Sequence, residues 1–186
     1  SNCTCALHIA LLLSGVRDGD EVIVPSFTYI ACVNVIRHVS AKPVFVEVNE
    51  KTFNIDTRDL EKKITKKTKA IIAVDQVGLP CDIDKINAIA KRHNIFVIED
   101  AACALGSKYK GKMVGGLSIL TCFSLHPRKI ISTGEGGVIT TNNKKIAEMA
   151  KVLRSHGTSL GDHTRHSSNI ISFEKYISPG YNYRLT

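Results

Sequence analysis

Several common signatures are missing from this chain, and each absence removes a class of function. No apolar run approaches the ~20 residues that span a bilayer, and stretches such as Ile9–Leu13 are too short for a signal sequence. The six cysteines (positions 3, 5, 32, 81, 103 and 122) contain no Cys-x-x-Cys and no matched histidine spacing, so neither a structural zinc nor a disulfide framework is expected. Reduced thiols in a cytoplasm are the default that follows. No Gly-x-Gly-x-x-Gly joins the first strand to a helix, which sets a nicotinamide-binding reading aside. No internal repeat or low-complexity stretch is visible. The one dense basic run, Lys62 to Lys69, has no interleaved aromatics and no nucleic-acid motif. It reads as a solvated helix end and loop. The net charge of +8 favours anionic ligands by steering without identifying one.

What is present is an ordinary soluble composition, 44% apolar and 23% charged over 186 residues, enough for one sizeable core. Short apolar runs alternate with helical patterns. Glu21–Val24, Pro43–Val46, Lys69–Val74, Ile95–Ile98, Ile119–Phe123 and Val138–Thr141 read as strands. Lys108–Val114 reads as a small hairpin turning at Gly111. Ile86, Ile89, Ala90 and His93 recur at helical spacing, as do Ile146, Met149, Ala150 and Leu153. Asn142 or Asn143 serves the second helix as N-cap, with Gly157 beyond its end. The alternation predicts an α/β layer with a mostly parallel sheet.

Ligands gather at the carboxyl ends of strands in such sheets. Ser26 and Thr28, Asp75 and Gln76, Glu99 and Asp100, and Ser124 and His126 all fall there. Asp100 follows a buried strand, so it is an N-cap, an ion-pair member, or the counter-ion of a protonated heterocyclic nitrogen. Residues 1–6 open a helix whose free N–H groups and Thr4 hydroxyl suit a phosphate, although the same residues cap helices with no ligand. Lys129 lies in a glycine-rich loop with Ser124, His126 and Arg128. It is either a solvated loop residue or an amine held ready to condense with a carbonyl.

A resemblance covers almost the whole chain. The strings Ala6-Leu-His-Ile-Ala-Leu11, Gly19–Tyr29, Lys69–Ile72 and Val97-Ile-Glu-Asp-Ala-Ala102 occur in order. Phe123-Ser124, His126-Pro127, Lys129, Gly134–Gly137, His156-Gly157 and Gly180–Thr186 follow. Together they resemble the DegT/DnrJ/EryC1/StrS sugar aminotransferase family of enzymes that use pyridoxal 5'-phosphate (PLP).

The resemblance implies a three-layer α/β sandwich, the large PLP-binding domain of a fold type I aminotransferase. Residues 1–186 form that domain, and residues 158–186 lead toward a smaller C-terminal domain that, like a preceding segment, is absent. The implied reaction moves an amino group from an amino acid, glutamate by expectation, to a nucleotide-linked keto-sugar. Lys129 corresponds to the lysine that forms the Schiff base and shuttles the proton, and Asp100 to the partner of the pyridine nitrogen. Tyr29 matches the aromatic stacked on the ring. Thr4, Ser124 and the backbone of Cys5 match the phosphate holders. Asn182 lies in the segment that reaches a neighbouring subunit's cofactor, which implies a homodimer with shared active sites. Cys103 stands where the family has Gln or His near the phenolic oxygen, and a thiol donates more weakly. Asp75 replaces a frequent histidine, Cys3 a frequent glycine and Ile130 a frequent asparagine. Relatives that dehydrate sugars carry histidine in place of the lysine, and a non-catalytic relative of the same fold is the remaining alternative.

Overall fold

The computed structural model describes residues 1–159 and 174–185. Its centre is a six-stranded sheet built from β1 (Glu21–Pro25), β2 (Lys42–Val46), β3 (Thr68–Val74), β4 (Phe96–Asp100), β7 (Leu120–Ser124) and β8 (Gly137–Thr140). The strand order is β2-β1-β3-β4-β7-β8. All neighbours are parallel except β7 and β8, which pair antiparallel and close one edge. β1 and β3 are buried on both faces, which explains their continuous apolar runs. β2 forms the other edge, where Pro43 lacks a strand N–H without cost to an inner ladder. The expected hairpin is present: β5 (Lys108–Tyr109) pairs with β6 (Lys112–Met113). Lys110 and Gly111, both at positive φ, form its turn.

Helices cover both faces. α1 (Cys3–Leu13), α2 (Ala31–His38) and α5 (Lys144–Arg154) pack on one side, α3 (Thr57–Lys63) and α4 (Ile83–His93) on the other. The first core joins Leu7, Leu11, Val35, Ile36, Ile72 and Ile98. The second joins Leu60, Ile71, Ile83, Ile86, Ile89 and Val97. α1 is buried from Ala6 to Leu11, as a helix enclosed by sheet and neighbours must be. The lysines of the basic run at 62, 63, 66, 67 and 69 are all exposed, as expected of a solvated helix end.

Three readings need correction. His93 does not continue the buried stripe of α4; it is exposed in the last turn, beside the left-handed C-cap Asn94. In α5 only Leu153 is buried, and Met149 stays 40% exposed beside Leu12, Leu13 and Tyr181. Asn143 is the N-cap of that helix, accepting from the N–H groups of Lys145 and Ile146. Glu99, Asp100 and Ser124 are the last residues of their strands rather than the first residues after them. The pleat therefore fixes which face each of them serves. Part of the segment read as leading to a further domain, residues 160–173 and 186, lies outside the described residues.

Candidate active site

Along the parallel part of the sheet the order reverses between β1 and β3, the position where an open α/β sheet leaves a crevice at its carboxyl edge. A cleft of about 420 Å³ lies at that edge. Thr4, Tyr29, Asp100, Cys103, Ser124 and Lys129 all line it, together with Thr28, Asp75, His126 and Arg128.

Asp100 forms the buried floor, 5% exposed. Among the described residues it neither caps a helix nor joins an ion pair. Oδ1 accepts from the N–H of Ala102 at 3.0 Å, and Oδ2 accepts from the Cys32 thiol at 2.9 Å. Thr28 in turn donates its hydroxyl to the Cys32 sulfur at 3.2 Å. Burial pushes the Asp100 carboxyl above the usual range, opposed by the Cys32 and Ala102 hydrogen bonds and by the Lys129 charge. Burial, then the adjacent Asp100 charge, also drives the Cys32 thiol far up, so it stays a protonated donor.

Lys129 stands on the loop between β7 and β8. That loop is pinned at its base by Leu125 N–H to the Gly136 carbonyl and Thr133 N–H to the Leu125 carbonyl. The Lys129 N–H donates to the His126 carbonyl, which turns the side chain back over the cleft. Its Nζ donates to the Cys103 sulfur at 3.0 Å. Cys103 is the exposed cysteine among the six. Cys103, one of the four positions noted above as departures, is thus the direct partner of the loop amine.

The first turn of α1 forms another wall. Asn2 caps it: its Oδ1 accepts from Cys5 N–H at 2.9 Å and its carbonyl from Ala6 N–H. This leaves the N–H groups of Cys3 and Thr4 as first-turn donors, beside the Thr4 hydroxyl. Cys5 was expected to offer its backbone to the same ligand, but its N–H already serves Asn2 and the residue does not line the cleft. Gly137 allows this wall to sit where it does. A Cβ there would lie 2.2 Å from the Asn2 carbonyl oxygen and 2.7 Å from the Cys3 nitrogen. Ser124 Oγ accepts from His126 N–H at 3.3 Å and keeps its own proton to donate. Tyr29, 73% exposed, presents a ring at the mouth. Asn182 stands apart, in a bridge with Ser155 beyond α5.

Sequence reasoning did not single out Cys32. Its one signal was the spacing of four from Thr28, which a helix start brings together. Glu99 was noted only as a strand-end residue, yet it is fully buried.

The groups fit PLP on the chemistry of the donor set. A buried carboxylate faces the cleft, an amine lies at its side, and a glycine-backed helix N-terminus with two hydroxyls suits a phosphate.

Comparison with known proteins agrees. The model of the DegT/DnrJ/EryC1/StrS aminotransferase family matches residues 1–186. GDP-perosamine synthase of Escherichia coli O157:H7 is 47% identical over 186 residues, which is 100% of this chain and 48% of that protein. The structure of the aminotransferase from Psychrobacter cryohalolentis superposes with a TM-score of 0.91 at 37% identity, over 99% of this chain and 47% of that one. DesV of S. venezuelae, solved in complex with a ketimine intermediate, gives 0.86 at 35% identity, over 97% and 46%. The chain spans about half the length of the relatives it matches.

Proposed function

The chain belongs to the DegT/DnrJ/EryC1/StrS aminotransferase family, and from that premise we propose that it is the cofactor-binding part of a PLP-dependent sugar aminotransferase. The substrate class is a nucleotide-linked keto-sugar, in keeping with the GDP-perosamine synthase relatives, and the amino donor is an amino acid such as glutamate. One observation carries this reading: the amine of Lys129 and the buried carboxylate of Asp100 line the same cleft as the α1 N-terminus. The fold matches that of solved aminotransferases, and among the described residues no helix is long and apolar enough to cross a membrane.

Pyridoxal phosphate, when bound, supplies an aldehyde and an electron sink that lets a C–H bond beside the amino nitrogen break. The protein's side chains have separate tasks. The first-turn N–H groups of α1 and the hydroxyls of Thr4 and Ser124 bind the phosphate. Asp100, held by Cys32 and Ala102, keeps a proton on the ring nitrogen. Tyr29, which lines the cleft, would stack on the ring when the cofactor is bound. Lys129 accepts and returns the transferred proton at Nζ, a general-base task that requires its neutral form. Cys103 holds that amine in place when it is not otherwise engaged. Asn182, outside its own cleft, is left to reach a second subunit in a homodimer.

Borohydride treatment of the PLP-loaded full-length protein tests the assignment. The expected result is cofactor covalently fixed on Lys129, found by peptide mapping, and none in Lys129→Ala. Labelling of another lysine, or equal labelling of the variant, overturns it.

A further inference from the structure

Two further acids lie next to Asp100: Asp75 at the wall of the cleft and Glu99 behind it. Asp75 follows β3 and is 1% exposed; Glu99 lies on β4 and is 0% exposed. The register pairs Ala73 with Glu99 and Val74 with Asp100. By strand alternation Glu99 shares the α3/α4 face with Val97, opposite Ile98 and Asp100. Each carboxyl is half satisfied. Asp75 Oδ1 accepts from Cys81 N–H at 2.9 Å. Glu99 Oε2 accepts from Thr121 at 2.8 Å and Ser118 at 3.2 Å. Among the described residues the remaining oxygens, Asp75 Oδ2 and Glu99 Oε1, are buried without a hydrogen-bond partner, while the Cys81 thiol also bonds the Asp75 carboxyl. Asp75 lies two residues beyond Ala73, the register partner of Glu99, so alternation turns both carboxyls to the same face, and Asp75 acts on the Glu99 carboxyl there. Among the described residues no Lys, Arg or His forms an ion pair with either.

Two ionised carboxylates are acceptors only, so they cannot bond to each other. Two adjacent buried anions with no cation repel at low dielectric. A proton between them resolves both difficulties and satisfies both orphaned oxygens. We propose that Asp75 and Glu99 share one proton between Asp75 Oδ2 and Glu99 Oε1, which makes Asp75 a positioning residue for Asp100. The pair then carries one negative charge behind Asp100 instead of two. Asp75 also ties the strand ends directly, because its N–H donates to the Asp100 carbonyl at 3.0 Å. The consequence for Asp100 rests on the functional reading above; the shared proton itself does not.

Cys81 after β3 faces the pair, and Asp100 on β4 and Cys122 on β7 act on it electrostatically from the other face of the sheet. Burial pushes the two thiols up and keeps them neutral. Burial, and then the charge of Glu99, raises the Asp75 carboxyl to about 7. Burial raises Glu99 as well. Both shifts have the same sign: the folded protein holds a proton that the unfolded chain has released. The stabilisation is therefore full below the unfolded carboxylate range near pH 4 and is lost as pH rises through about 7.

The test uses the cofactor-free full-length protein, so a failure to bind PLP would count against the functional reading alone. Infrared spectra of wild type minus Asp75→Asn should show a protonated-carboxyl C=O band at pH 6 that fades as pH rises through about 7. Asn keeps a donor to Glu99 but does not titrate. The melting temperature of wild type, relative to Asp75→Asn, should fall by about 5 °C between roughly pH 5 and pH 8. If Asp75→Asn does not fold, Glu99→Gln serves: its amide donates to Asp75, which then ionises, and the band disappears. Absence of the band in wild type, its persistence in both variants, or a pH-independent melting difference overturns the proposal.

Discussion

Neighbouring acids on β4 serve opposite faces of one sheet, and their surroundings could hardly differ more. Asp100 faces α1 and α2. A thiol and a backbone N–H hold it, and it opens on a cleft that carries an amine. Glu99 faces α3 and α4. Two hydroxyls and a second acid surround it, and among the described residues no cation pairs with it. One face keeps a carboxylate ready to meet a ligand. The other holds two acids without a cation among the described residues, and a shared proton balances them. Burial depth alone does not separate the two residues; the partners and the access do.

The sharpest way to break this contrast is to neutralise each acid in turn. Asp100→Asn should lower turnover in the full-length enzyme by roughly 10³-fold with the fold retained, because a proton partner is lost and little volume changes. Steady-state kinetics alongside circular dichroism would check this, and an enzyme with near-normal turnover contradicts it. Glu99→Ala should act the other way. It strands the Thr121 and Ser118 hydroxyls and opens a cavity, so stability in urea should drop by about 3 kcal/mol. A drop under about 1 kcal/mol would erase the distinction between the faces.

The smallest effects come from the helix caps on the two faces. Asp56 caps α3, accepting from Arg58 N–H, and its carboxyl is held down to about 2, first by the Arg58 side chain. Asn143 caps α5 and does not titrate. Each change to Ala should cost about 1 kcal/mol at pH 7. The Asp56 contribution is present above the unfolded value near pH 4 and fades as pH falls toward 2, whereas that of Asn143 does not change. Urea midpoints of the two variants at pH 7 and pH 3 would show whether the caps diverge in this way.

Much of this arrangement was legible in the chain. The continuous run from Lys69 to Val74 can only be a strand buried on both faces, and Val97-Ile98 before Asp100 put an acid at a strand end. Lys129 between two strands, with glycines after it, marked a loop able to return a side chain to that edge. Partners distant in sequence were not legible. The Cys32–Asp100 bond joins residues 68 apart, and a cysteine on an apolar helix face looks like any core residue. The Asn2 cap stood only as an alternative to the phosphate reading, for a different reason. A side-chain oxygen competes with a ligand for the same N–H group, and spacing does not say which one holds it. Met149 and His93 matched helical spacing but not burial, because periodicity gives a face without the neighbour that covers it.

Gly137 carries a consequence for the order of assembly. Its contact with Asn2 and Cys3 unites the start of the chain with the far side of the β7–β8 hairpin. Closing so long a loop is slow compared with forming any single hairpin or strand–helix unit. The wall formed by the α1 N-terminus is thus expected to mature after the hairpin that bears Lys129. A molecule that holds an anion at this wall has therefore already joined Asn2 to Gly137, so anion retention there would report that this long-range contact has formed.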